Sequence, residues 1–135
     1  MHFRKKAIIT NLMLFVILYF SVSFNKEYIP PIYGENPIIG ILTGSYSNFI
    51  AAYIISLFSI SPILKRKISK KISRIIFYII STSVFILLTI EEINPFTQAS
   101  KTFDIYDIIA SGIGSLLAIV TFEIIIKKQK NRTLL

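Results

Sequence analysis

Residues 65–74 read KRKISKKISR and separate two long apolar halves of the chain. This segment holds six of the fifteen Lys and Arg residues, and two smaller basic groups lie at 4–6 and 127–132. Short loops rich in Lys and Arg stay on the cytoplasmic side of a membrane. We therefore expect the middle of the chain and both of its ends to be cytoplasmic. A chain that leaves one side and returns to it twice crosses the membrane four times.

The composition is typical of a membrane protein. Hydrophobic residues make up 53% of the 135 residues and charged residues only 16%, whereas soluble domains carry about 25% charged residues. A soluble domain of this size buries only about two-thirds of its surface, which is too little to enclose several long apolar runs. The prediction is an all-α fold, in which one integral membrane domain (1–135) forms a four-transmembrane-helix bundle.

The apolar runs give approximate limits for the four spans: 7–24, 46–64, 75–93 and 105–126. The first span is also typical of a signal peptide, with Ser21 and Ser23 near a cleavage position, so a retained and a cleaved first span both remain open. Residues 25–45 are expected to form the first outer loop, in which Pro30-Pro31 breaks the helix. The apolar piece PIIGILTG (37–44) is too short to span, and we expect it to lie in the interface or to re-enter the membrane.

Charge and residue types exclude several functions. The net charge of +8 is explained by the cytoplasmic basic groups, so we expect membrane lipids as partners and no nucleic acid. The lack of cysteine excludes disulfides, thiol catalysis and cysteine-based zinc sites. The single histidine, His2, lies in the N-terminal tail, which argues against histidine acid–base chemistry. We expect no cofactor.

Ionisable residues gather in one segment, EEINPFTQASKTFDIYD (91–107). Carboxylates near the apolar boundary of a membrane are costly, and their presence indicates function. On the predicted topology this segment connects the third and fourth spans on the outer side. The candidate ligand-binding residues are Glu91, Glu92, Gln98, Lys101, Phe103, Asp104 and Asp107.

Four interpretations of this segment remain open. Asp104 and Asp107 can be structural and cap the last helix, with Lys101 neutralising Glu91 or Glu92. The carboxylates can instead bind the polar or cationic head of a lipid, an envelope precursor or an amphipathic drug. Two of them can do general acid–base work on a lipid head group, so an enzyme activity stays uncertain. Three or four can bind a divalent cation, although the spacing matches no EF-hand loop, and the metal question also stays open.

A stripe of small residues begins the last span. Such a stripe lets another helix approach closely, within the bundle, in a homo-oligomer or in a structural subunit of a membrane complex. The candidate helix-packing residues are Ala110, Ser111, Gly114 and Ala118.

Few other polar residues lie inside the spans. Asn11 is expected to hydrogen-bond a neighbouring helix, and Glu123 to pair with Lys127 one turn later. Together with hydroxyls such as Ser81 and Ser83, these residues form only a weak polar line across the membrane. That pattern argues against a channel or a transporter.

The segment KTFDIYDIIASGIGSLLA (101–118) resembles the end of the VanZ-like family of small bacterial membrane proteins. That family shows a glutamate near the end of one span, then a basic residue, an aromatic-Asp pair, an aspartate that opens the last span, and a small residue followed by glycine. The stretch NFIAAY (48–53) is similar to the family's His-Phe-x-x-Tyr stretch, with Asn48 in place of histidine. The matching positions near the end of the chain are Glu92, Lys101, Phe103, Asp104, Asp107, Ser111 and Gly114.

Some positions depart from the family pattern. Pro95 stands where the family has glutamine, and Gln98 lies three residues further on. Lys101 replaces the more frequent arginine and lacks its bidentate geometry, and Ser111 stands where asparagine is common. The resemblance implies a multi-pass protein of the bacterial cell envelope, in the cytoplasmic membrane. Some relatives are linked to lower susceptibility to lipid-bearing glycopeptide antibiotics, and no reaction is implied.

Overall fold

The structure is a computed structural model that describes residues 2–33, 36–66, 68–94 and 103–132. Within these residues the chain forms five α-helices and no β-strand. The helices are α1 (His2–Tyr33), α2 (Pro37–Leu57), α3 (Ile60–Lys65), α4 (Lys70–Ile93) and α5 (Ile105–Arg132).

Four apolar stretches of these helices are long enough to cross a membrane. They contain 22, 29, 24 and 24 residues, and even the shortest is about 33 Å long at the α-helical rise. The second stretch combines α2 and α3. The predicted all-α bundle of four membrane-length helices is confirmed, and the protein is a multi-pass membrane protein. The stretches are Ile8–Ile29, Pro37–Lys65, Lys70–Ile93 and Ile105–Lys128.

Large apolar side chains are exposed along every long helix, as expected of surfaces that face lipid. A soluble monomer rarely exposes contiguous apolar patches of this extent, but lipid-facing helices require them. Examples at half exposure or more are Leu12, Phe20, Leu42, Leu87 and Leu116.

The second span begins about nine residues earlier than the sequence predicts, at Pro37 instead of 46. Asn36 caps α2, because its side-chain oxygen accepts hydrogen bonds from the N–H groups of Ile38 (3.0 Å) and Ile39 (3.4 Å). Pro37 occupies the first helical position, where its missing N–H costs nothing. The piece 37–44, expected in the interface or re-entering the membrane, is therefore the first two turns of α2.

The first helix also differs from its prediction, because α1 continues through Pro30-Pro31 to Tyr33. Proline removes one backbone hydrogen bond, and a transmembrane helix can continue past such a gap. Residues 25–33, predicted to lie in a loop, are thus part of the helix.

The second span is divided at residues 58–59, where α2 ends and α3 begins. Pro62 has no N–H group to donate to the carbonyl of Phe58, four residues earlier. The side-chain amide of Asn11 on α1 donates to that carbonyl at 3.5 Å. The predicted hydrogen bond from Asn11 to a neighbouring helix is confirmed. It gives the Phe58 carbonyl a donor in place of the N–H group that Pro62 lacks.

α2 lies at the centre of the bundle and packs most extensively against α5, which also packs against α4. The core is centred on Phe77 of α4 and Phe122 of α5, whose fully buried rings stack with centroids 4.1 Å apart. α1 packs along α2 and is otherwise almost entirely exposed.

Charged side chains lie at the two opposite ends of the bundle. We call one the acidic end: it contains Glu92, Asp104 and Asp107, where α4 ends and α5 begins. We call the other the basic end, where α4 begins and α5 ends. Its exposed basic side chains are Lys65, Arg66, Lys70, Lys71, Lys127 and Lys128.

Candidate functional site

Two carboxylates at the acidic end hold the start of α5. The side chain of Asp104 accepts the N–H of Tyr106 at 2.9 Å, and Glu92 of α4 accepts the N–H of Asp104 at 2.9 Å. A side-chain oxygen before the first turn satisfies a backbone donor that the helix cannot. Negative charge is also favourable at this end of the helix dipole. The capping interpretation thus accounts for Asp104, and Glu92 ties α4 to the same turn.

Asp107 lies one turn further on and is not a cap. Its Oδ1 atom is buried and has no hydrogen-bond partner among the described residues. Across the helix interface, Ser45 of α2 is only 7% exposed, and its hydroxyl oxygen also lacks a partner. The Ser45 hydroxyl and the Asp107 carboxylate face each other closely enough to interact favourably, although they are not aligned as a hydrogen bond. An unpaired buried polar atom costs about 1–3 kcal/mol, so this pair needs an explanation.

An apolar groove of about 320 Å³ adjoins Ser45, between the first half of α2 and the first half of α5. Its size is at the lower end of the range for ligand pockets. Three of its nine lining residues are aromatic, and Ser45 is the one serine among them. The lining residues are Ile41, Leu42, Ser45, Tyr46, Phe49, Tyr106, Ile109, Ala110 and Ile113.

Gly114 marks the point beyond the groove where α2 and α5 touch. A Cβ atom on Gly114 would overlap the carbonyl oxygen of Phe49 and would lie 3.1 Å from the Cβ of Ala52. The backbones can therefore approach this closely only because residue 114 is glycine.

The other small residues of the predicted stripe lie along the same face of α5. Ser111 is 1% exposed, and its hydroxyl donates to the carbonyl of Asp107 at 2.9 Å. Ala118 is fully buried in the core. Ala110 is half-buried and lines the groove.

The remaining predicted site residues contribute less to this geometry. Glu91 is half-buried on α4, and Phe103 is exposed just before α5. Gln98 and Lys101 lie outside the described residues. In the part of the chain that the structure describes, no three carboxylate or histidine groups are placed to hold a metal ion.

Sequence reasoning missed Ser45 and the α2 side of the groove, because it assigned residues 25–45 to a loop. The sequence does contain a signal for the helix, since Asn36-Pro37 is a good N-cap and first residue. The face that Ser45 presents to α5 follows only from the packing of the two helices.

Buried hydroxyls continue from the site toward the middle of the bundle. Ser81 of α4 donates to the carbonyl of Ser115 at 3.0 Å and lies 3.3 Å from the hydroxyl of Ser56. Next along α4 comes the fully buried stack of Phe77 on Phe122. This apolar stack interrupts the line of serine hydroxyls, and Ser73 of α4 is buried beyond it.

Glu123 lies beyond this stack at the basic end. Arg74 Nε is 2.8 Å from its Oε1 atom, an ion pair that is not aligned as a hydrogen bond. The hydroxyl of Tyr78 donates to the same carboxylate oxygen at 2.8 Å. Lys127, the predicted partner, contributes its charge from one turn away, so α4 supplies the direct partners of Glu123.

No protein-family model, curated protein or solved structure matches this chain.

Proposed function

We propose that this protein is a VanZ-like membrane protein of the bacterial cell envelope that binds an amphiphile at its acidic end. The ligand is a lipid, an envelope precursor or an amphipathic drug. The proposed location is the cytoplasmic membrane, with both chain ends in the cytoplasm and the acidic end in the outer leaflet. The distribution of Lys and Arg supports this orientation, because basic segments stay inside.

One observation carries the proposal: Asp107 Oδ1 and Ser45 Oγ are both buried, neither makes an aligned hydrogen bond, and Ser45 also lines an apolar groove. Native proteins rarely leave buried polar atoms unpaired, and a bound partner is one explanation for such an exception. A polar head with an attached apolar chain supplies that partner and fills the groove. Ligand sites commonly have this composition, a mostly apolar pocket with a few convergent polar groups.

The VanZ-like resemblance supports the same residues independently, because its second aspartate position falls on Asp107. On this proposal a link to glycopeptide-antibiotic susceptibility would follow from binding a lipid-bearing drug or the precursor that it attacks. Lys101 would balance the carboxylates or contact a phosphate of the ligand.

The capping hydrogen bonds of Glu92 and Asp104 favour an alternative in which the acidic end is structural and the protein is a subunit of a membrane complex. Asp107 distinguishes the binding function from the structural one, because its side chain caps no helix among the described residues. A small membrane enzyme that acts on a lipid head group is the other alternative, and it requires turnover that is lost when Glu92 or Asp107 becomes an amide.

Native mass spectrometry of the protein purified in its own lipids tests the proposal. We expect the wild type to retain an amphiphile that Asp107→Asn loses. Glu27→Gln is the matched control, because it removes an exposed carboxylate of α1 outside the groove, and it should retain the same species. Identical spectra for wild type and Asp107→Asn would contradict the proposal.

A further inference from the structure

Several cationic side chains converge where α4 meets α5 at the basic end, and one carboxylate faces them. Arg74 places its Nε atom 2.8 Å from Glu123 Oε1, and the Tyr78 hydroxyl donates to the same oxygen at 2.8 Å. Lys127 also acts on this carboxylate through its charge. A guanidinium carries five N–H donors and an ammonium three, so most of these donors lie outside the contact with Glu123.

The charge of this region, which we call the α4–α5 seam (Lys71, Arg74, Tyr78, Glu123 and Lys127), is unbalanced. Three cations stand against Glu123, the one carboxylate that the described residues place at the basic end. The first turn of α4 contains Lys71 and no acidic residue, although the positive end of a helix dipole favours negative charge. An anion from outside the chain would lower the electrostatic cost of this arrangement.

The cations of the seam are accessible to such an anion. Lys71 and Lys127 are exposed, and the side chain of Arg74 is 40% exposed. The side chain of Glu123 is only 23% exposed, and its Oε1 atom is already engaged by two donors. A phosphate can therefore reach the three cations from the surface without displacing packed side chains.

Apolar surface continues from each lysine toward the middle of the membrane. On α4, Ile75 and Ile79 follow Lys71 at four-residue spacing and so share its face; they are 48% and 61% exposed. On α5, Val120 lies two turns before Lys127 on the same face and is also exposed. A lipid can use both the cations and this apolar surface, whereas a soluble phosphate can use only the cations.

We infer that the α4–α5 seam binds an anionic phospholipid, whose phosphate is held by Lys71, Arg74 and Lys127 and whose acyl chain lies on the exposed isoleucines of α4. Basic pockets between transmembrane helices on the cytoplasmic side are known to bind anionic head groups. This second lipid site lies at the opposite end of the bundle from the site proposed above and does not depend on it.

Two lipids with identical chains test the inference: phosphatidylglycerol, which is anionic, and phosphatidylethanolamine, whose ammonium offsets its phosphate. Delipidated protein in neutral detergent is titrated with each lipid, and the bound fraction is measured by native mass spectrometry. We expect phosphatidylglycerol to bind roughly tenfold or more tightly. The difference should shrink as the ammonium acetate concentration rises, because salt screens exposed charges.

Variants distinguish a defined site from a generally basic surface. Lys127→Gln and Lys71→Gln should each lower the affinity for phosphatidylglycerol about fivefold. Lys128→Gln is the matched control, because it removes the same charge one residue further on, about 100° around the helix, and it should bind nearly as wild type. All three lysines are exposed, so we do not expect folding to depend on them.

Three results would overturn the inference. Equal losses in Lys127→Gln and Lys128→Gln would replace the seam by a diffuse basic surface. Equal affinities for the two lipids at low salt would show that the head-group charge is not recognised. Displacement of phosphatidylglycerol by an equal concentration of glycerol 3-phosphate would identify a soluble phosphate, and not a lipid, as the ligand.

Discussion

At the scale of single residues, Gly114 controls how closely α2 and α5 approach. A Cβ there would overlap the carbonyl oxygen of Phe49, a backbone atom that cannot move away as a flexible side chain can. We therefore expect Gly114→Ala to destabilise the protein by about 1–3 kcal/mol, the usual range for overpacking. Thermal unfolding in detergent measures the effect as a lower midpoint.

Gly44→Ala is the matched control, because a Cβ at Gly44 has no other atom within 4 Å. Alanine is a better helix former than glycine by about 1 kcal/mol, so this variant should unfold at the same temperature or higher. A similar loss of stability in both variants would show that the α2–α5 contact is not what Gly114 provides.

The sequence predicts some of these residues better than others, for physical reasons. Asp104 could be recognised as a cap because it stands directly before an apolar helical run, and capping is a local interaction. Gly114 could be recognised because the small-residue stripe has helical spacing. Ser45 could not, since its importance comes from facing Asp107 across two helices, and no local pattern encodes that contact.

At the scale of helices, the start of α2 forms one side of the groove and depends on the Asn36 cap. Asn36→Ala removes both hydrogen bonds to the first turn and should cost about 1 kcal/mol. We expect faster amide hydrogen exchange at 38–42 and weaker binding of the amphiphile, because Ile41 and Leu42 line the groove.

Ser69→Ala provides the comparison at the other end of the bundle. Ser69 caps α4 by accepting the N–H of Ile72 at 3.3 Å, so its loss should cost a similar amount of stability while the groove stays intact. Equal effects of the two substitutions on amphiphile binding would mean that overall stability, and not the order of the first turns of α2, governs the site.

Helix types and helix limits differ in how well the sequence predicts them. Long apolar runs predicted four membrane-length helices, since only helices satisfy every backbone group in lipid. The limits failed at prolines: Pro30-Pro31 does not end α1, and Pro37 begins α2. Proline is compatible with the first turn of a helix. Whether a proline starts or ends a helix therefore depends on the residue before it, and here Asn36 is a cap that starts α2.

At the scale of the whole molecule, the two ends of the bundle have opposite charge because apolar spans leave only the connections and helix ends for ionisable residues. Lys70 lies exposed at the basic end, and Asn94 lies exposed where α4 ends at the acidic end. The predicted orientation places the first in the cytoplasm and the second outside, because Lys- and Arg-rich segments are retained inside.

The chain has no cysteine, so single-cysteine variants at these two positions report on one site each. In intact cells, a thiol reagent that cannot cross the membrane should modify Asn94→Cys and spare Lys70→Cys, while both should react after the cells are lysed. Removing one basic residue of the six in 65–74 leaves most of the charge bias in place, so Lys70→Cys is not expected to invert the protein. Labelling of Lys70→Cys alone would place the acidic end in the cytoplasm, and an amphiphile could then reach Asp107 only from the inner leaflet.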